Sequence, residues 1–262
     1  MRYSLCLVFF ILMSPWLASA VEWDIQLEKT WWQYQEYAKD ASITATQASF
    51  LPSKTTGDGA QLQLAFNGER DGAWVWGVSG AWMGSTSFAT ERWSSKQTND
   101  LSVKQWDVRL DIQHTLMRDA WWGLWVAARQ QEQSRQTFVV NGVPTAVAGE
   151  PIVEKIRSDW VGLSFVGFGG REQQLQASID IAVPINVKTT NPLFSGDFQK
   201  KAGFRSALDF RWYLPKRALG LDDVSLTLRY QYQELGGEQL ADGSFWPYNR
   251  WQMLGFGLLY AW

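Results

Sequence analysis

The 262-residue chain predicts an all-β protein, a transmembrane antiparallel up-and-down β-barrel of about ten strands, with eight or twelve as the alternatives. Three observations point there. Apolar and polar residues alternate with a period of two along almost the whole chain after residue 20, the signature of strands with two unlike faces. The connections between alternating segments are short and long in turn, as when tight turns gather at one end of a barrel and extended loops at the other. Third, a mean hydropathy of −0.23 suits a water-soluble composition, yet aromatic residues make up 15% and there are 17 tryptophans. Lipid-facing and lumen-facing residues in alternation give that average, with Trp and Tyr expected in girdles at the two membrane interfaces.

Residues 1–20 are read as a secretory leader. Arg2 supplies the charged start, Leu5 to Met13 the apolar stretch, and Ala18, Ser19 and Ala20 the small residues of a cleavage site. The apolar stretch is shorter than the roughly 20 residues of a membrane-spanning helix. Cleavage leaves 21–262 as a single barrel domain, removes Cys6, the only cysteine, and moves the formal charge from −2 to −3 because Arg2 goes with it. Without cysteine the mature chain has no disulfides and no thiolate metal site.

Ten strands are expected at 21–38, 58–67, 72–92, 100–117, 120–140, 152–168, 173–189, 198–214, 223–235 and 249–262. An even number places both chain ends on one side. The first three follow the alternation between the leader and the polar stretch at Trp93 to Asp100. In the fourth, Trp106, Val108, Leu110 and Ile112 oppose Gln105, Asp107, Arg109 and Asp111. The sixth carries Val161, Leu163 and Phe165 on its apolar face, but Arg157 and Asp159 share their parity, so that end lies outside the bilayer or a bulge intervenes. The seventh is the clearest, with Leu175, Ala177, Ile179, Ile181, Val183, Ile185 and Val187 on one face and Gln176, Ser178, Asp180, Asn186 and Lys188 on the other; Pro184 within it implies a bulge or a position near the strand's outer end. In the ninth, Val224, Leu226, Leu228, Tyr230 and Tyr232 oppose Ser225, Thr227, Arg229, Gln231 and Gln233. Short turns are expected at 67–72, 117–120, 169–173 and 215–222, and longer polar loops near 39–57, 93–100, 141–151, 190–198 and 236–249.

Leu254, Phe256, Leu258, Tyr260 and Trp262 place an apolar residue at every second position up to an aromatic end. This pattern resembles the C-terminal assembly signal of Gram-negative outer-membrane barrel proteins, which the barrel-insertion machinery reads. The resemblance implies export, residence in the outer membrane and contact with its lipid and lipopolysaccharide. It departs at Trp262, where such proteins usually end in phenylalanine; the physical requirement is an interfacial aromatic. It covers the mature chain as architecture and singles out no narrower family.

With apolar faces outward, the lumen receives Asp24, Glu28, Asp107, Arg109, Asp111, Arg129, Asp180, Arg205, Asp209, Arg211 and Arg229. A tight turn at 117–120 would set Arg109 opposite Arg129, with Asp107 and Asp111 as diagonal neutralisers, and Arg229 diagonal to Asp209. Such a network either fills a narrow barrel with mutually satisfied charges or forms a selectivity constriction in a small pore. Ten strands lie between the barrels that side chains fill and those that keep a water channel.

The main expectation is therefore a non-enzymatic outer-membrane barrel, either a closed structural or surface-recognition protein or a very narrow pore. One alternative is a lipid-modifying enzyme or protease. Lipid A deacylases and acyltransferases, phospholipases and omptins are small barrels of similar architecture, and most need a histidine. The single histidine, His114, shares parity with Leu110 and Ile112 and so faces away from Asp111; its expected place is interfacial, beside Trp121 and Trp122. A second alternative is a soluble periplasmic β-sandwich whose apolar faces form a core. No cofactor is implied and no metal site is expected, since one histidine and no mature cysteine give no ligand set, and loop carboxylates such as Asp58 or Asp242 lack calcium spacing. Gly167-Phe168-Gly169-Gly170 suits a tight turn and lacks the lysine of a phosphate loop. A net negative chain without a basic stripe is a poor nucleic-acid partner. Lys155, Arg157, Lys200 and Lys201 fall where strands leave the bilayer and are the candidates for lipopolysaccharide phosphates.

Overall fold

The computed structural model describes residues 22–37, 52–68, 74–93, 95–170, 174–192, 197–200, 202–215, 223–239 and 245–261, with 197–200, 238–239 and 245–246 as backbone alone. The leader, Lys201, Asp242 and Trp262 lie outside the described residues. Fifteen strand segments follow in chain order: β1 Glu22–Tyr37, β2 Ser53–Asn67, β3 Trp74–Ser85, β4 Ala89–Trp93, β5 Gln97–Met117, β6 Ala120–Val140, β7 Val143–Pro144, β8 Ile152–Gly169, β9 Leu175–Thr190, β10 Asp197–Lys200, β11 Gly203–Tyr213, β12 Val224–Leu235, β13 Glu238–Gln239, β14 Phe245–Trp246 and β15 Tyr248–Ala261.

The wall has ten strands in the order β1, β2, β3 with its continuation β4, β5, β6, β8, β9, β11, β12 and β15, each antiparallel to its neighbours. The sheet closes on itself where β1 pairs with β15 from Asp24↔Ala261 to Tyr37↔Tyr248. Closure removes both sheet edges, so every strand finds backbone partners on two sides. The expected ten-stranded antiparallel barrel is therefore the observed one. It excludes the sandwich, because the large apolar side chains turn outward: Leu27, Leu110, Ile112, Leu124, Ile179, Leu208 and Phe256 are all exposed.

Aromatic residues mark the two rims of this apolar band. Trp23, Trp74, Trp76, Phe210, Trp212 and Tyr260 are exposed near the end at which β1 begins, β15 finishes and β5 turns into β6, here the turn end. Trp31, Trp82, Trp106, Phe204 and Tyr230 are exposed toward the other, the loop end. The girdles do not account for all the tryptophan, however. Trp32, Trp125, Trp160 and Trp251 point inward and are almost fully buried.

Several strands are longer than the roughly 9 to 11 residues that cross a bilayer and project beyond it, as their length in the sequence implies; β2 and β5 start earlier than expected, while β6 keeps the expected 120–140. β2 begins at Ser53, and β5 and β6 each run for 21 residues, so their paired outer ends, up to Gln97↔Val140, project well beyond the loop-end girdle. The expected long loop at 93–100 is instead a tight connection between β4 and β5, with Lys96 at φ 62°. The expected strand 72–92 breaks between Ser85 and Ala89, and both pieces stay in the wall between β2 and β5.

The bulge implied by Pro184 is present. Pro184 faces Trp160 and Asn186 faces Asp159, which leaves Ile185 without a cross-strand partner. The extra residue sits on β9 and reverses its parity beyond the bulge, so that, against expectation, Val187 turns inward and Asn186 and Lys188 outward; β8 keeps its parity, and Arg157 and Asp159 both face outward above the apolar band. A second irregularity, between Thr115 and Met117 on β5, corrects the expected lumen pairing: Asp107 faces Arg129, and Arg109 faces Ala127. The opposite charges thereby meet directly, and the repulsive Arg109–Arg129 pair does not form. Arg229 likewise stands directly across from Asp209, not diagonal to it.

Candidate functional site in the lumen

All eleven charged residues expected in the lumen point into it, and all of them but Glu28 line a cavity of about 740 Å³ at the turn end. Alternation puts them there, one per two residues on β1, β5, β6, β9, β11 and β12. Arg109 donates from Nη1 to Asp180 Oδ2 at 2.6 Å, joining β5 to β9. Arg205 on β11 reaches Asp107 on β5 at 2.8 Å, and Arg129 meets the same carboxylate at 2.8 Å. Arg229 pairs with Asp209, and Arg211 approaches Asp24 at 3.6 Å. Asp111 accepts from Gln113 at 2.9 Å and lies 3.7 Å from Arg109. Trp121, Phe168 and Tyr213 line the cavity toward its rim, so Trp121 is a lumen residue and not the neighbour expected beside His114.

Above the cavity the lumen is filled. Arg129 spans it, donating to Gln233 Oε1 on β12 at 2.8 Å, and the Trp125 ring lies under the guanidinium of Arg109 at 4.6 Å. Trp32 stacks on Trp251 at 5.2 Å, within a buried group that includes Tyr34, Met83 and Met253. Trp160, Ile156, Ala182 and Val187 pack with Trp125 on another side. Glycines make room for two of these rings. A Cβ on Gly57 would collide with Trp32, and one on Gly162 with Trp125, each glycine being the cross-strand partner of the ring it accommodates.

Nearest the loop end lies a cluster that sequence reasoning missed. Arg135 on β6 binds Glu36 of β1 at 2.6 Å, Glu91 of β4 at 2.7 Å and Glu154 of β8 at 3.2 Å. Tyr34 donates to Glu36 at 2.7 Å, and Ser53 and Asn99 donate to Glu91 at 3.2 and 2.9 Å. Three carboxylates around one guanidinium leave an excess of negative charge in a buried place, held by hydrogen bonds. The signal that would have found it was present: Glu36 shares parity with Glu28, and Arg135 with Arg129. Parity does not reveal the meeting itself, because β1 and β4 do not adjoin β6 in the wall.

His114 lies on the outer face, between Trp74 and Trp122 on the flanking strands, with ring centroids 4.4 and 6.4 Å away. Asp111 belongs to the opposite face of the same strand. Among the described residues no group of three or more His, Cys, Asp or Glu side chains is placed to hold a metal ion. Asp58 is engaged by Lys29 and by Thr86, the latter at 2.7 Å.

Leu254, Phe256, Leu258 and Tyr260 all face outward. Lys155 and Arg157 lie outward above the band on β8; Lys200 ends β10, and its side chain, like all of Lys201, lies outside the described residues.

Neither a protein-family model nor a curated protein matches the sequence. Solved structures do resemble the barrel. The outer membrane protease OmpT from Escherichia coli superposes with a TM-score of 0.55 at 9% identity, over 93% of this chain and 97% of that one. The transport unit of the autotransporter AIDA-I from Escherichia coli gives 0.48 at 10% identity, over 92% and 90%. The attachment invasion locus protein Ail of Yersinia pestis gives 0.35 at 12% identity, over 92% and 99%. The first of these establishes a shared outer-membrane-type barrel fold and nothing finer.

Proposed function

We propose that this chain is a closed, non-enzymatic barrel of the outer membrane of a Gram-negative bacterium, exported by its leader and inserted through the machinery that reads its C-terminal strand. The turn end faces the periplasm and the loop end the exterior. Its contribution is structural or recognitional at the cell surface, where its outer wall meets lipid and lipopolysaccharide. The observation that carries this reading is the filled lumen: Arg129 bridges from Asp107 to Gln233, with Trp125 and Trp160 buried beside it and the Trp32–Trp251 stack and the Arg135 cluster toward the loop end. Charges that satisfy one another in this way are a packing solution for a narrow interior, since an unpaired buried charge is far costlier than a paired one.

The test is single-channel conductance of the refolded protein in a planar bilayer, with Arg109→Ala beside the wild type. Both are expected to be silent, because Arg109 lines the cavity and the obstruction lies above it. Reproducible conductance steps that change with Arg109→Ala would instead establish a narrow pore whose lumen charges set selectivity.

A further inference from the structure

The cavity at the turn end is blind. Arg129 spans the lumen on its inner side, and the rings of Trp125 and Trp160 are packed there, so a molecule that enters from the rim is held and not passed on. Small side chains leave the space: Ala65, Ser79 and Ala81 line it on β2 and β3, and Ser164, Ser178 and Ala207 on β8, β9 and β11. Its volume of about 740 Å³ falls within the roughly 300–1,000 Å³ of cavities that enclose small ligands.

The two sides of the cavity are unlike. One is aromatic toward the rim. Trp121 of β6 and Phe168 of β8 meet edge to face at 4.7 Å, and Tyr213 of β11 follows beyond β9, its hydroxyl donating to Gln176 at 2.6 Å. The other side is polar, with Glu22 of β1, Asn67 of β2 and Asp111 of β5 in one cross-strand row. Gly77 of β3 completes that row, and a Cβ there would meet the Asp111 carboxylate at 2.9 Å.

The charges of the lining do not call for an ion. Among the described residues that line the cavity, five guanidiniums stand against six carboxylates. The deeper ones engage one another: Arg109 with Asp180, Arg229 with Asp209, and Arg129 and Arg205 with Asp107. Seven carboxamides join them, each a donor and an acceptor at once. Gln105, almost fully buried at the inner end, leaves its Oε1 without a hydrogen-bond partner. Such a lining suits a neutral molecule whose polar groups both donate and accept and which turns a C–H face to aromatic rings.

We propose that the cavity binds a short, neutral oligosaccharide of about two or three sugar units. Its apolar ring face lies against Trp121, Phe168 and Tyr213, and its hydroxyls bond to Asn67, Asp111 and the carboxamides. Carboxylate, guanidinium and carboxamide groups are planar and present two polar atoms side by side, which adjacent hydroxyls of a sugar can match. That the site faces the periplasm rests on the orientation proposed above; the binding itself does not.

The experiment is calorimetric titration of the mature protein, refolded in a detergent without a sugar headgroup, with maltose, cellobiose and N,N′-diacetylchitobiose, and with choline and trialanine as cationic and peptide competitors. At least one disaccharide is expected to bind more tightly than both competitors. Trp121→Ala is expected to weaken that binding about tenfold, the worth of a lost ring contact. Asp111→Asn keeps the shape, removes the charge and is expected to weaken it about threefold. Trp106→Ala, on the outer wall toward the loop end, is expected to change it less than twofold. Binding of none of the disaccharides, tighter binding of choline or trialanine, or unchanged disaccharide affinity in the Trp121 and Asp111 variants overturns the site. Each preparation is also scored for insertion into bilayers: failure of the wild type to insert counts against the barrel's proposed location, whereas insertion without disaccharide binding counts against the site alone.

Discussion

Arg135 and Glu36 meet across the lumen, Nη2 to Oε1 at 2.6 Å, from strands β6 and β1 that stand on nearly opposite sides of the wall. The same guanidinium is the counter-charge for Glu91 and Glu154. Arg135→Ala leaves three buried carboxylates without it and is expected to destabilise the barrel by about 3 to 5 kcal/mol. Urea unfolding in lipid vesicles measures this; a loss below 1 kcal/mol would mean that the cluster is open to water.

The outer face is tested by charge. Leu110→Arg and Ile181→Arg place a guanidinium in mid-band, where each is expected to cost about 2 to 4 kcal/mol. Both residues are exposed on the apolar band of β5 and β9. Tolerance of both in vesicle unfolding would mean that this face does not meet lipid.

Gly162→Ala probes the seal. Its new methyl would meet the Trp125 ring and, at 2.6 Å, the carbonyl oxygen of Ile181, so the ring must tilt into a filled lumen at a cost of about 1 to 3 kcal/mol. The near-ultraviolet circular dichroism of the folded protein should change with it, and an unaltered spectrum with full stability would show that the ring has room to move.

His114→Ala is expected to leave the barrel folded and to cost about 0.5 to 1.5 kcal/mol, the worth of its edge-on contact with Trp74. Lipid analysis and peptide cleavage with the purified protein should be indifferent to the change. An activity present in wild type and lost in this variant would move His114 from the wall to catalysis.

How far the sequence could be read follows from the period of a strand. Alternation alone placed Asp107, Arg129, Asp180 and Arg229 inside, because inward and outward are fixed by parity once one face is known to be apolar. Pairing was harder. A single irregularity at Thr115/Met117 turned an expected Arg109–Arg129 clash into the Asp107–Arg129 ion pair, and nothing in that hairpin's composition announces it. Pro184 did announce its bulge, since a residue without an amide hydrogen cannot sit in a regular ladder. The inward tryptophans were missed because girdles seemed to absorb them; the glycines opposite Trp32 and Trp125 were the legible sign. The Arg135 cluster is not legible from strand pairing, because Glu36 and Glu91 reach the guanidinium across the lumen from strands that do not adjoin β6.

The tryptophans divided between wall and interior give the molecule two optical populations. Brominated acyl chains will quench the outward rings of Trp31, Trp76, Trp82 and Trp106, while Trp32, Trp125, Trp160 and Trp251 are shielded by the backbone between them and the lipid. What survives quenching is emission from inside a closed cylinder. Its growth during refolding would time the moment at which β1 meets β15, an event that the lipid-facing signal, which responds to contact with the bilayer alone, does not register.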